Sequence, residues 1–536
     1  MQAFDVDVLI AGAGPAGLSL AIELGHRGVS CKAVERNDRV GYSPRAKTTN
    51  VRTREHLRRW GIADALRRAS PIAPDYPPNV VFATRMNGPE LARFDNVMHG
   101  RRERNDLFSE EGQWVPQYTL EEVLRTHAVT LPGVTIAFNA MLEGFEQDAD
   151  GVTARVRDVS GERKVRCRYL VGADGARSLV RNAIGAKMQG DGPTLKNYTI
   201  IFKAPDLAHR QTHGDAIMYW LVNADVPSML GPMDQHGLWF FMATKIADDL
   251  DPATLDPVNL IRRGTGIDDL AIEIVRGDPW TAQSLIADKY SEGRVYLAGD
   301  ACHLHPPFGG YGMNMGVGDA VDLGWKLAGT LQGWGGPNLL ASYQAERRPV
   351  HERVINEAVI NYGMVGNNLV RPLIETPGPE GDATRREIGH VIRETKIREF
   401  STLGVVLGGR YCGSSIVADD GTLPPPEHPV DYVPSATPGC LAPHAWLADG
   451  SSLYDHFGRG YTLLVTNSHG DGVAAFVDQA AQRGLPLTVV APHDDRLPGR
   501  YGAAFALIRP DQHVAWRGDH LPGDAGLLLD RVAGHA

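Results

Sequence analysis

Asp7-Val8-Leu9-Ile10-Ala11-Gly12-Ala13-Gly14-Pro15-Ala16-Gly17 is a buried-strand pattern running directly into a glycine-rich turn, and its context decides the fold. Residues 18–26 follow with a helical pattern, then residues 29–34 form a second apolar strand that ends in Glu35 and Arg36. Strand, GxGxxG, helix, strand and terminal acid make up the dinucleotide-binding fingerprint. Gly12 turns the chain, Gly14 lets a pyrophosphate approach the backbone, Gly17 permits close helix–strand packing, and Glu35 is placed for a ribose diol.

Two further segments have the same character of a strand ending in an acid and a tight turn. The first is Tyr169-Leu170-Val171-Gly172-Ala173-Asp174-Gly175-Ala176-Arg177-Ser178, with Arg181 one helical turn beyond Arg177. The second runs from the strand at residues 295–298 through Gly299-Asp300-Ala301-Cys302-His303-Leu304-His305-Pro306-Pro307-Phe308-Gly309-Gly310-Tyr311-Gly312-Met313-Asn314. There Asp300 suits a ribose or ribityl hydroxyl, the Gly/Pro loop brings bare backbone close to a flat ligand, and a helix opens near Asn314. Its N-terminus would offer oriented N–H groups and partial positive charge to a ring that becomes anionic on reduction.

The three motifs, in this order and spacing, resemble the class A flavoprotein monooxygenases, in particular the phenol and chlorophenol hydroxylase branch and the antibiotic-tailoring flavin hydroxylases. The resemblance covers nearly the whole chain. It implies FAD, with NAD(P)H as co-substrate and O2 and a small aromatic molecule as partners. It also implies insertion of one oxygen atom into a phenolic or polycyclic aromatic ring through a flavin C4a-hydroperoxide. Carried over residue by residue, Gly12, Gly14, Pro15, Ala16, Gly17, Glu35 and Arg36 bind the ADP half of FAD, and Arg45 lies near the pyrophosphate. Gln117 meets the diphosphate or ribityl chain, or is an ordinary helix-terminal residue. Asp174 serves FAD and NAD(P)H, Asp300 holds the ribityl chain, and Gly312, Met313 and Asn314 approach the flavin pyrimidine. Pro307 lies beside flavin and substrate, and Glu346-Arg347-Arg348-Pro349 resembles a structural helix terminus behind the cofactor.

Composition fits such an enzyme. A chain of 536 residues with 43% hydrophobic content can bury several cores. A net charge of −10 without a concentrated basic face argues against nucleic acid. Five cysteines without CxxC or zinc-like spacing favour reduced thiols. The pair His303 and His305 has no second ligand cluster, so no metal is expected. Lacking a cationic, apolar leader and a long apolar span, the chain is expected in the cytoplasm, off the membrane. A homodimer is the assembly the resemblance suggests.

The expected fold class is α/β: a Rossmann-like FAD-binding domain, an inserted, mostly antiparallel β-sheet substrate domain and a C-terminal thioredoxin-like domain. The FAD-binding domain is discontinuous, at residues 1–75, 106–185 and 290–400. Residues 76–105 and 186–289 form the substrate sheet, where residues 198–203, 216–222 and 237–242 are β-branched and aromatic. Residues 401–536 form the last domain; without a CxxC pair, its role is packing or dimerisation.

Tyr219, Trp239, Phe241 and Tyr311 are the expected pocket residues, with Pro307. Lys47 stands where the fungal phenol hydroxylase branch carries an acid, which leaves the substrate-deprotonating base unassigned; His213 and His236 are sequence candidates. The pocket strands carry no arginine, which favours a neutral phenolic or polycyclic ring over a benzoate. A Baeyer–Villiger or epoxidising oxygenase acting on a polyketide, and a non-catalytic binding protein of the same fold, are the alternatives.

Overall fold

The computed structural model describes residues 3–38, 46–191, 196–246, 254–363, 368–467 and 472–536, without the side chains of 245 and 246. Arg45, one of the expected cofactor contacts, lies outside the described residues.

The first strand, Val6–Ala11, pairs in parallel with Cys31–Glu35 on one side and Gly161–Gly172 on the other. Val295–Leu297 and Val134–Phe138 extend this parallel core outward, so the three motif-bearing strands lie side by side and end at the same edge. Val8, Leu9 and Ile10 are fully buried because helices and the attached antiparallel strands cover both faces. The helix Pro15–Gly25 packs against the long helix Gly312–Leu331 across the sheet edge.

A second sheet of seven strands is ordered Glu273–Thr281, Lys196–Lys203, Leu238–Ile246, Ser228–Pro232, Met218–Leu221, Val80–Ala83 and Glu90–Phe94. It is antiparallel except where Met218–Leu221 runs parallel to Val80–Ala83. Each strand alternates strictly between its faces. One face packs Val81, Tyr219, Leu230, Trp239 and Phe241 under the helix Pro257–Thr265. The other packs Phe82, Met218, Trp220, Met229, Phe240 and Met242 together with Phe308. The helix Pro379–Phe400 belongs to that second face as well. Expected to close the nucleotide domain, it instead places Ile388, Ile392 and Phe400 in the sheet's core, because those residues form its apolar stripe.

The last region contains a mixed sheet ordered Leu487–Val490, Tyr461–Val465, Phe505–Ile508 and Val514–Gly518. The first pair is parallel and the others antiparallel, with the helix Val473–Gln482 crossing over between the parallel strands. This is the thioredoxin-like topology. Its core is not self-contained: Trp325 and Leu339 from two nucleotide-domain helices, with Trp334 from the connection between them, share it with Tyr461, Leu463 and Leu507. The segment Glu346-Arg347-Arg348-Pro349 lies in the middle of the helix Pro337–Gly363, not at a terminus, and Pro349 is accommodated inside it.

Candidate functional site

The glycine-rich turn is packed too closely for any side chain. A Cβ on Gly12, whose φ is +103°, would come within 2.2 Å of the carbonyl oxygen of Ala173, and one on Gly17 within 2.0 Å of the Gly12 oxygen. The turn after the first strand therefore lies directly on the turn that carries Asp174. The third motif closes on the same point. A Cβ on Gly299 would sit 3.1 Å from the Ala16 Cβ, and one on Gly316 3.2 Å from it. Three turns separated by more than a hundred residues of sequence thus meet around Ala16.

Two helices begin at this junction. Intrahelical bonding starts with Leu18 N to Gly14 O in one and Met315 N to Tyr311 O in the other, so the N–H groups of Ala16 and Gly17, and of Gly312, Met313 and Asn314, precede it. A crevice with two helix N-termini and a bare glycine floor fits an elongated anionic dinucleotide with a flat ring at one end. FAD has that shape.

The acids that the sequence singled out are fixed by the backbone around them. Glu35 accepts from Ala13 N at 3.0 Å and from Asn37 N at 3.1 Å, which ties the end of the second strand to the glycine turn. Asp174 accepts from Ser178 Oγ and from Val180 N, holding the start of the short helix Leu179–Ala183. Asp300 sits in the single turn Gly299–Ala301 and Arg36 is exposed beyond the second strand. Gln117 opens the helix Gln117–Ala128, where its Oε1 accepts from Ala46 N at 3.1 Å.

Asn314 has a positioning task that its sequence did not reveal. Its Nδ2 donates to Thr48 O and Gly310 O, and its Oδ1 accepts from Asn50 N. It thereby clamps the Gly/Pro loop to the segment after Ala46. Behind the loop, Asp319 accepts from Gly299 N at 2.9 Å, His303 Nε2 at 2.9 Å, Arg347 Nε at 2.9 Å and His351 Nε2 at 2.7 Å. Burial would raise the Asp319 pKa, yet His351, Arg347 and His303 hold it well below the ordinary carboxylate value. Cys302, His303 and Asp319 bring ligand-type atoms within 4.8 Å of one another. With Cys302 Sγ donating to Gly299 O and Asp319 bonded as above, they act as an internal anchor for the loop.

The pocket residues require correction. Tyr219, Trp239 and Phe241 point to the helix-covered face of the seven-stranded sheet, away from Phe308. Their neighbours Trp220 and Phe240 occupy the face that meets the Gly/Pro loop, with Trp220 5.9 Å from the Phe308 ring. With a side-chain period of two, an error of one residue moves every aromatic to the wrong side, and the strands are apolar on both faces. Tyr311 packs with Val354, Ala358 and Val405 against the helix Pro337–Gly363, again away from the sheet. Pro307 is exposed on the loop, where its carbonyl accepts from Gly310 N. Of the sequence candidates for a base, His213 is buried beneath the Arg85 carbonyl and His236 is exposed in a turn.

The face that meets the loop is aromatic but not purely apolar. Trp220 Nε1 and both side-chain polar atoms of Asn361 are buried without a hydrogen-bond partner. Lys396 Nζ, 4.7 Å above the Trp220 ring, donates to Glu399 Oε2 at 2.7 Å and to Asn361 O. Beside this wall opens a cleft lined by residues that include Thr48, Tyr76, Trp114 and Ile217. The aromatic wall suits a flat aromatic ligand, and the orphaned polar atoms within it suit one bearing oxygen substituents.

Residues 5–358 match the FAD binding domain family, and residues 435–536 the aromatic-ring hydroxylase C-terminal family. The aklavinone 12-hydroxylase RdmE of Streptomyces purpurascens is 33% identical over 555 residues, 99% of either chain. The 2,4-dichlorophenol 6-monooxygenase of Cupriavidus pinatubonensis is 31% identical over 579 residues, 97% of this chain and 94% of its own. The rebeccamycin biosynthetic enzyme RebC, solved with reduced flavin, superposes over 100% of both chains with a TM-score of 0.92 at 36% identity.

Proposed function

Since the chain belongs to the FAD-dependent aromatic-ring hydroxylases, we propose that it uses NAD(P)H and O2 to insert one oxygen atom into a phenolic or polycyclic aromatic substrate. The observation that carries this reading is the meeting of the three turns at Ala16, one edge of which continues through Phe308 into the aromatic wall of Trp220 and Phe240. FAD, when bound in this crevice, would supply the redox chemistry of nicotinamide oxidation and dioxygen activation.

The chain's own residues bind, orient and exclude water. Gly12, Gly14, Pro15, Ala16 and Gly17 receive the diphosphate at the first helix N-terminus, and Glu35, with Arg36 beside it in the chain, takes the adenosine end. Gln117, Asp174 and Asp300 hold the middle of the cofactor. The N–H groups of Gly312, Met313 and Asn314 stabilise negative charge on the reduced ring. Trp220, Phe240 and Phe308 orient the substrate ring and keep water from it.

Purified protein is expected to be yellow, and NAD(P)H oxidation should accelerate with phenols or polycyclic quinones more than with benzoates. Product identification separates ring hydroxylation from Baeyer–Villiger or epoxide products. Protein that cannot bind added FAD overturns the proposal. A homodimer and a cytoplasmic location complete it. The free cysteines favour a reducing compartment, and no described helix is long and apolar enough to cross a membrane. Light scattering of the holoenzyme tests the assembly.

A further inference from the structure

Of the five cysteines, Cys31, Cys167 and Cys302 sit in the core of the nucleotide domain. Burial pushes the first two thiols up to about 12 and the third well above the ordinary value, so all three are inert. Cys412 and Cys440 differ. The fold brings them together where the chain passes from the helical region into the thioredoxin-like domain.

Residues 410–412 run against the turn at residues 437–440. Arg410 pairs with Cys440 in an isolated antiparallel bridge, Tyr411 N donates to Gly439 O at 2.8 Å, and Cys412 Sγ reaches Pro438 O at 3.5 Å. The approach is so close that a Cβ on Gly439, whose φ is +93°, would meet Cys412 N at 2.6 Å. The two thiols are in hydrogen-bond contact. That bond, helped by the Arg410 guanidinium, brings the Cys412 thiol down to about 7 against partial burial, and it raises Cys440 well above the ordinary thiol value.

Cys412 is exposed, and Cys440, though buried, lines a cleft with Arg353, Arg410 and His428. The pair is also near the cofactor loop. Tyr411, next to Cys412, accepts from Arg347 Nη1 at 3.1 Å, and Arg347 donates to Asp319 behind that loop.

We propose that Cys412 and Cys440 form a reversible redox site that reacts with hydrogen peroxide, with Cys412 as the attacking thiolate and Cys440 as the resolving thiol. Cys412 Sγ attacks one peroxide oxygen and the O–O bond breaks, leaving a sulfenic acid on Cys412 and a hydroxide that the displaced thiol proton turns into water. Cys440 Sγ then bonds to Cys412 Sγ, the S–O bond breaks, and the departing hydroxyl takes the Cys440 proton as a second water. The two sulfurs together lose two electrons and the peroxide gains them. Disulfide sulfurs lie about 2.05 Å apart, so the pair has only to close from hydrogen-bond contact. Added thiol reverses the bond by exchange. The source of the peroxide rests on the flavin hydroxylase reading, since oxygen activated without a substrate to receive it is released in this form. The thiol chemistry does not depend on that source.

The test treats FAD-loaded enzyme with a few equivalents of hydrogen peroxide, denatures it in iodoacetamide and maps the peptides by mass. Alkylatable thiols should fall from five to three, with Cys412 and Cys440 in one disulfide-linked peptide pair and dithiothreitol restoring all five. Cys412→Ser should keep its remaining thiols alkylatable, and Cys440→Ser should stop at a Cys412 sulfenic acid that dimedone captures. Five alkylatable thiols in treated wild type, a disulfide that uses Cys31, Cys167 or Cys302, or pairing of Cys412 only between two copies of the chain overturns the proposal. If Cys440→Ser does not fold, the wild-type map and Cys412→Ser decide. The colour of the same sample judges the flavin reading separately: protein that takes up no FAD and still forms the disulfide would defeat that reading and leave the dithiol standing.

Discussion

Single residues divide into those that touch ligand and those that hold the touching groups in place. Asp300 is of the first kind in the reading above, and Asp319 of the second, since all its bonds go to protein groups behind the loop. Losing hydrogen bonds to a charged group costs about 1.5–3 kcal/mol. Asp300→Ala should accordingly raise the FAD dissociation constant at least about tenfold, measured by quenching of flavin fluorescence. Unchanged affinity would remove Asp300 from the cofactor site. Asp319→Asn keeps the shape but not the charge, and should lower thermal stability as well as FAD affinity, because Arg347 is then left buried without its carboxylate.

At the scale of the element, the seven-stranded sheet is a two-sided object whose faces do different work. Phe240 and Phe241 are adjacent in one strand, yet one meets Phe308 and Lys47 while the other packs over Gly264 of the covering helix. Phe240→Leu should raise KM for the aromatic substrate severalfold with little change in Tm. Phe241→Leu should cost about 1–2 kcal/mol of stability and leave KM within about twofold. Steady-state kinetics and thermal melts on the pair check this, and a reversed pattern would show that the wall has been assigned to the wrong face.

Across the whole molecule, the last region is fused to the nucleotide domain by a buried ion network. Arg509 donates to Glu346 through both Nη atoms, to Asp322 and to Asp511, and Lys326 bonds Asp322 and Glu346. Arg509→Met would leave Asp322, Glu346 and Asp511 with only Lys326 in place of two cations in this network, and the cost expected is about 3–5 kcal/mol, seen as a large fall in Tm without a change in the spectrum of protein-bound FAD.

Stability should also depend on pH. Burial lowers the pKa of His305 and His444 to about 4 and of His351 to about 3. The unfolded chain binds protons at these sites near pH 6.5, before the folded one does, so stability is full above about pH 6.5 and falls as pH drops toward 4. Melts between pH 8 and 4 measure the slope; a flat profile would mean that these imidazoles are not buried neutral.

The sequence by itself determined the nucleotide-binding architecture, because a glycine turn between strand and helix is a local device. Residues 12–17, 172–175 and 299–314 carry their geometry in neighbouring residues, and the fold brings them together as that pattern demands. The strand, helix, strand and hairpin order of the last region was legible in its apolar runs, while its thioredoxin-like type was what the resemblance implied. What only the tertiary structure decided is which side of each strand meets the cofactor loop. Residues 218–221 and 238–242 are apolar in both parities, so periodicity marks the strands without choosing a face. The partner surface chooses it: the helix Pro257–Thr265 covers one face, and Phe308 and the helix Pro379–Phe400 reach the other. The same holds for Asp319, Asn314 and Arg509, whose roles depend on groups distant in sequence. Their charge or polarity becomes informative only once burial makes an unpaired group costly.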